Sequence, residues 1–212
     1  MIEYQQRFDG SWYIDVAELR EALEGEDGGR IRALVLINPN NPTGSYVKAS
    51  EREAIVRLCH DHEVAIIADE VFYDYDLEPF DGNARLAGET GTLTFALDGF
   101  SKTLAAPHAK VGWIQVSGPA AEVDEAKRRL DVVADDYLPM SEIIAKQIPA
   151  MLAPQPRRPR ACESACKPTS QPCIPCWMMT SRAWSACCVP KADGMCFCAC
   201  PACLTRTNWC CP

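Results

Sequence analysis

The sequence predicts an α/β protein with a mostly parallel sheet flanked by helices, followed by an irregular tail from about residue 155. Three observations carry that prediction. Short apolar runs recur along the first part of the chain, and strands buried on both faces require such runs. The segments between them are long enough for crossovers, and one has helical periodicity. Cysteine usage and charge sign then both change near residue 155. Residues 1–161 hold one cysteine, Cys59, and residues 162–212 hold twelve.

The first run, "ALVLI" (33–37), reads as a strand and ends on the turn-rich "NPNNPTG". In "SEREAIVRLCHDHE" (50–63), Ser50 with Glu53 three residues on predicts a capping box. Ala54, Ile55, Leu58 and Cys59 follow at helical spacing. "VAIIA" (64–68) is a second buried strand, ending on Asp69. "LTFAL" (93–97) and "VGWIQV" (111–116) complete the sheet, and Pro119 opens a charged helix to about Tyr137. Ligands of such sheets gather at the carboxyl ends of strands. Asn41, Asp69 and Lys102 follow the first, second and third runs there.

Residues 1–154 carry 14 Lys+Arg against 27 Asp+Glu, and residues 155–212 carry 7 against 2. The expected organisation is therefore a domain over 1–154 and a Cys/Pro-rich, disordered tail over 155–212. The acidic first part argues against nucleic-acid binding. No run of about 18 apolar residues is present to span a membrane, and "MIEYQQRFDG" lacks the pattern of a signal peptide. A cytoplasmic protein is expected, in which a disulfide framework is disfavoured.

An amide, a carboxylate and an amine at one sheet edge suit an aldehyde cofactor. A lysine can form a Schiff base with a carbonyl, and a carboxylate can hold a pyridinium nitrogen protonated. Taken singly each has a plain reading: Asn41 as a turn residue, Asp69 as a helix cap or loop acid, Lys102 as one of seven solvated lysines. His60, His62 and His108 match no metal-ligand spacing, and the Arg128–Arg129 pair reads as a solvated helix face.

Together, "INPNNPTG", "IIADEVFYDY" and "DGFSKTLAAPHAKVGW" resemble the class I/II aminotransferases of the fold-type I pyridoxal phosphate enzymes. The resemblance runs from about Gly10, in "GSWYIDVAELREAL", to about Ala153. It implies pyridoxal phosphate as cofactor, an amino acid and a 2-oxo acid as substrates, and a homodimer. It implies Lys102 as the Schiff-base and proton-carrying lysine, and Asp69 as the partner of the pyridine nitrogen. Asn41 would donate to the phenolic oxygen. Lys110 falls where the family usually has a phosphate-binding arginine, whose bidentate fork a lysine lacks. Phe72 replaces a common tyrosine and Gly99 a common phosphate-binding serine. Each change removes one cofactor hydrogen bond, worth about 1 kcal/mol. The family also includes lyases, decarboxylases and carbon–carbon synthases with the same lysine.

A complete member is longer. The resemblance implies a preceding segment with a phosphate-cradling loop and a ring-stacking aromatic, and a later domain with the arginine for the substrate carboxylate. Neither has a match here, so an inactive fragment is expected.

Besides an unrelated fused segment, the tail admits two readings. Cys173-x-x-Cys176 with Cys200-x-x-Cys203 could hold tetrahedral zinc in a non-catalytic binding or interaction module. Eight other cysteines, eight prolines and the lack of periodicity oppose this. The other reading is a slipped frame, because the last base before a cysteine codon followed by its first two always encodes Leu, Val or Met. In that frame residues 176–180 become Leu-Asp-Asp-Asp, and residues 208–211 become Leu-Val-Leu, whatever the codons. Permitted codons let residues 191–212 begin "GGWYVLL", which resembles a strand opening the family's C-terminal domain. The slipped frame is the expectation, with no metal site.

Overall fold

In the computed structural model, residues 1–75, 80–137 and 140–153 are described, together with the backbone of 187–190 and 196–198. The central sheet has four strands: β3 (Ala33–Ile37), β4 (Ala65–Asp69), β5 (Thr94–Gly99) and β6 (Gly112–Ser117). They lie in that order, the first three parallel and β6 antiparallel at the edge. All four apolar runs are therefore strands, each within two residues of its expected bounds. A parallel sheet with one antiparallel edge strand is a common arrangement.

A hairpin of β1 (Gln6–Phe8) and β2 (Trp12–Ile14) precedes α1 (Val16–Glu24). Asp15 caps α1, its Oδ1 accepting the N–H groups of Ala17 and Glu18 at 3.0 and 3.4 Å. The crossover helix α2 (Ala49–Asp61) starts earlier than the Ser50–Glu53 pattern predicts. Glu51, not Glu53, reaches back to the first turn, where its Oε2 accepts the Lys48 N–H at 2.8 Å. Its Oε1 also accepts the Ile14 N–H at 3.0 Å, so a helix cap doubles as a tie to β2. Such a tie joins residues 37 apart, and local spacing carries no trace of it.

The register decides which sheet face is core. Leu36, Ile66 and Ala68 point to one face and are buried beneath Ile55, Leu58 and Cys59 of α2, and the register puts buried Ala96 on the same face. Ile14 and Leu19 close the same core. Burial there pushes the Cys59 thiol up to about 12, so it stays protonated and behaves as an inert core side chain. The opposite face presents Val35, Ile37 and Ile114, which are 56%, 38% and 46% exposed. Apolar residues thus occupy both faces, as a parallel sheet requires, but only one face is covered by the described residues.

After β5 the one-turn helix α3 (Phe100–Thr103) leads to β6, and α4 (Ala120–Asp135) follows with most of its surface exposed. Arg128 and Arg129 both pair with Glu125, as a solvated charged face would. α5 (Glu142–Leu152) has no counterpart in the expected elements. Its Ile144, Ile148 and Met151, at spacings of four and three, pack on Phe100, Ala106, Ala109 and Val111. In the tail, β7 (Cys187–Pro190) and β8 (Cys196–Cys198) pair antiparallel. Cys173, Cys176, Cys200 and Cys203 lie outside the described residues. Among the described residues no helix is long and apolar enough to cross a membrane.

Candidate functional site

The carboxyl ends of β3, β4 and β5 form one edge, because Ile37, Asp69 and Leu97 align across the parallel strands. Asn41 lies in the loop leaving β3, Asp69 ends β4, and Lys102 sits in α3 directly after β5. Lys110 enters the edge from the return path, just before antiparallel β6. Parallel topology brings Asn41, Asp69 and Lys102 to this side, since each parallel strand exit must fall there, and the antiparallel β6 returns Lys110 to it.

Asn41 is held by its loop rather than by its own contacts. Thr43 Oγ1 donates to Asn40 Oδ1 at 2.9 Å, and Ser45 Oγ donates to Gln6 Oε1 at 3.1 Å. The N-terminal hairpin therefore anchors this loop. The Asn41–Pro42 peptide is cis and Asn41 is exposed. Its side chain makes no hydrogen bond among the described residues, which leaves its amide open to a ligand.

Asp69 is half-buried, and its Oδ1 accepts the Val71 N–H at 3.2 Å. Three residues on, the Phe72 ring centroid lies 5.1 Å from Lys102 Nζ. The ring face favours a cation there. The segment leaving Asp69 thus reaches Lys102 through the Phe72 ring. Lys110 is exposed in the left-handed backbone region, with φ of 53°. It lines a cleft of about 540 Å³ with His108, Gly112, Met140, Ser141 and Ile144. Neither Asn41 nor Lys110 makes a side-chain hydrogen bond or ion pair with Asp69 or Lys102 among the described residues.

The glycine at 99 has a packing reason. A Cβ there would meet the Val111 carbonyl oxygen at 2.7 Å and the Gly112 Cα at 3.1 Å. A serine is therefore excluded there unless the backbone at Val111 and Gly112 moves.

A buried polar cluster centred on Glu70 and Asn38 also lies at this edge, and no motif in the sequence marks it. Glu70, 2% exposed, accepts from Asn38 Nδ2 at 2.9 Å and from the Leu86 N–H at 2.7 Å through Oε1. Its Oε2 accepts the Ala87 N–H at 3.2 Å and faces Arg85 Nε at 3.7 Å. Asn38 in turn donates to the Ala84 carbonyl and accepts the Val47 N–H, both at 2.9 Å. Arg85 stacks its guanidinium 4.2 Å from the Tyr73 ring centroid and faces Asp74 and Asp98 at 3.7 and 3.9 Å. The cluster stitches the exits of β3 and β4 to segment 84–87. Glu70 adjoins Asp69, and Asn38 opens the turn that carries Asn41; that adjacency was the available signal. Among the described residues no group of three or more His, Cys, Asp or Glu is placed to hold a metal.

The donor set fits a phosphorylated pyridine aldehyde: an amine, a carboxylate, an open amide and a second ammonium at one edge. The family model "Aminotransferase class I and II" matches residues 1–164. The glutamate-pyruvate aminotransferase AlaA of Escherichia coli is 35% identical over 111 residues, which cover 51% of this chain and 26% of that protein. An alanine aminotransferase from Pyrococcus furiosus superposes with a TM-score of 0.56 at 26% identity, covering 72% of this chain and 38% of its own. A tyrosine aminotransferase from Leishmania infantum, 21% identical with a TM-score of 0.61, shares the fold over 71% of this chain and 36% of its own. The chain spans about a quarter of the length of the curated relatives it matches.

Proposed function

The chain belongs to the class I and II aminotransferases, and from that premise we propose that its sheet edge is the cofactor half of an amino-transfer site. The observation that carries the proposal is Lys102 and Asp69 on adjacent strand exits, with the Phe72 ring 5.1 Å from Lys102 Nζ. Bound pyridoxal phosphate would supply an aldehyde and an electron sink. Lys102 would hold it through Nζ and, once displaced by the substrate amine, carry a proton to and from the substrate α-carbon. Asp69 would keep a proton on the ring nitrogen, Asn41 would donate to the phenolic oxygen, and Lys110 would face the phosphate. The reaction is amino transfer between an amino acid and a 2-oxo acid. Alanine with 2-oxoglutarate and glutamate with pyruvate are the first pairs to assay, from the names of the relatives.

We further propose that the chain as it stands turns over neither pair. Lys110 lacks an arginine's fork, Gly99 offers no hydroxyl, and catalysis needs the cofactor held in place. Borohydride reduction in the presence of pyridoxal phosphate tests the site without turnover. The reduced label should concentrate on Lys102 among the seven lysines, and Lys102→Ala should remove that peptide signal without raising the others. Equal labelling of all lysines would refute the assignment.

The tail reading is proposed on the codon argument. In the gene, the third base of each codon read with the next two should stay free of stop codons from about residue 155 to Pro212. It should contain Leu-Asp-Asp-Asp over 176–180. A stop codon within 160–205 would overturn the slipped frame and favour the paired-cysteine zinc module.

A further inference from the structure

α3 is a single turn and cannot hold its own conformation, because nucleating a helix fixes several dihedrals for one hydrogen bond. Something outside it must place Lys102. Asp98 Oδ1 accepts the Gly99 N–H at 2.6 Å and the Thr103 hydroxyl at 3.0 Å, which brackets the turn from its own strand. The Phe100 N–H donates to the Val111 carbonyl at 2.9 Å. These contacts set the turn, yet none touches Lys102 itself.

Two side chains from the segment leaving β4 do touch it. The Tyr75 hydroxyl donates to the Lys102 carbonyl at 2.8 Å, beside the Ala105 N–H at 3.0 Å. The Phe72 ring lies 5.1 Å from Nζ. The two rings meet edge to face, 5.7 Å between centroids and 79° between planes. Backbone, ammonium and both rings thus close a loop of contacts. The same segment begins at Asp69, which ends β4.

We propose that Tyr75 is a positioning residue for Lys102, clamping its backbone through the hydroxyl and its amine through the ring of Phe72. This rests on the amino-transfer reading of the edge. The chemistry tested is a condensation. Lys102 Nζ adds to the aldehyde carbon and water leaves; borohydride then delivers hydride to the C=N bond, leaving a stable secondary amine. A pyridine aldehyde must approach Nζ in one orientation, whereas formaldehyde need not. Orientation and mere exposure can therefore be separated.

The experiment compares the full chain with Tyr75→Phe, which removes only the hydroxyl, and with Phe72→Leu, which removes the ring face. Mass spectrometry follows initial Lys102 labelling by pyridoxal phosphate with borohydride, and by formaldehyde with borohydride, in parallel samples. The hydroxyl's loss should lower the pyridoxal phosphate rate at Lys102 about fivefold, the scale of one hydrogen bond. Methylation by formaldehyde should change less than about twofold on the same scale. Phe72→Leu should show the same pattern. Unchanged pyridoxal phosphate labelling in Tyr75→Phe, or an equal fall with both reagents, would overturn the clamp while leaving the amino-transfer reading intact. No preference for Lys102 in the unsubstituted chain would overturn both.

Discussion

Replacing Glu70 with alanine should destabilise the protein by about 3–5 kcal/mol, the range for breaking a buried ionic network on one side. The carboxylate is 2% exposed and serves four partners: Asn38, the Leu86 and Ala87 amides, and Arg85. Its removal leaves the buried Leu86 N–H and the half-buried Ala87 N–H without this acceptor and Asn38 Nδ2 with the Ala84 carbonyl alone, and a buried donor left unpaired costs about 1–3 kcal/mol before relaxation. Glu70→Gln should cost less, because the amide oxygen can still accept from Asn38 and Leu86. Urea unfolding measures both. A midpoint for Glu70→Ala equal to that of the unsubstituted chain would show that segment 84–87 is held by other means.

Ile66→Ala should cost about 2–5 kcal/mol, since Ile66 is fully buried and its removal leaves a cavity between the sheet and α2. Val35→Ala, one strand away on the opposite face, should cost less than about 1 kcal/mol. Val35 is 56% exposed, so little apolar contact is lost. Equal losses at the two positions would mean that the uncovered face is packed in solution. The contrast is informative because the two residues look alike in sequence: each is a β-branched residue in a short apolar run.

That pair shows where reading the chain stops. Strands 33–37 and 94–99 were legible because continuous apolar runs between turn residues have few other uses. Which face of each run would be covered was not, since both faces are apolar and only the register and the position of α2 separate them. Helix α5 was missed although Ile144, Ile148 and Met151 have helical spacing. Pro149 within the helix masked the pattern. The capping of α2 was misplaced by two residues because Glu51 and Glu53 are chemically equivalent candidates. The tie from Glu51 to Ile14 chose between them.

At the site, three motifs in order were enough to bring Asn41, Asp69 and Lys102 to one edge, because parallel strands must exit on the same side. The sequence by itself determined that edge, its chemical groups and the family they belong to. Tertiary structure alone decided what holds them. Glu70 on Asn38 and Leu86, Tyr75 on the Lys102 carbonyl and the Val111 backbone against Gly99 act across separations of 12 to 32 residues. Strand order and hydrophobic period are local properties of a chain, whereas a hydrogen bond between distant segments exists only once packing has brought its two ends together.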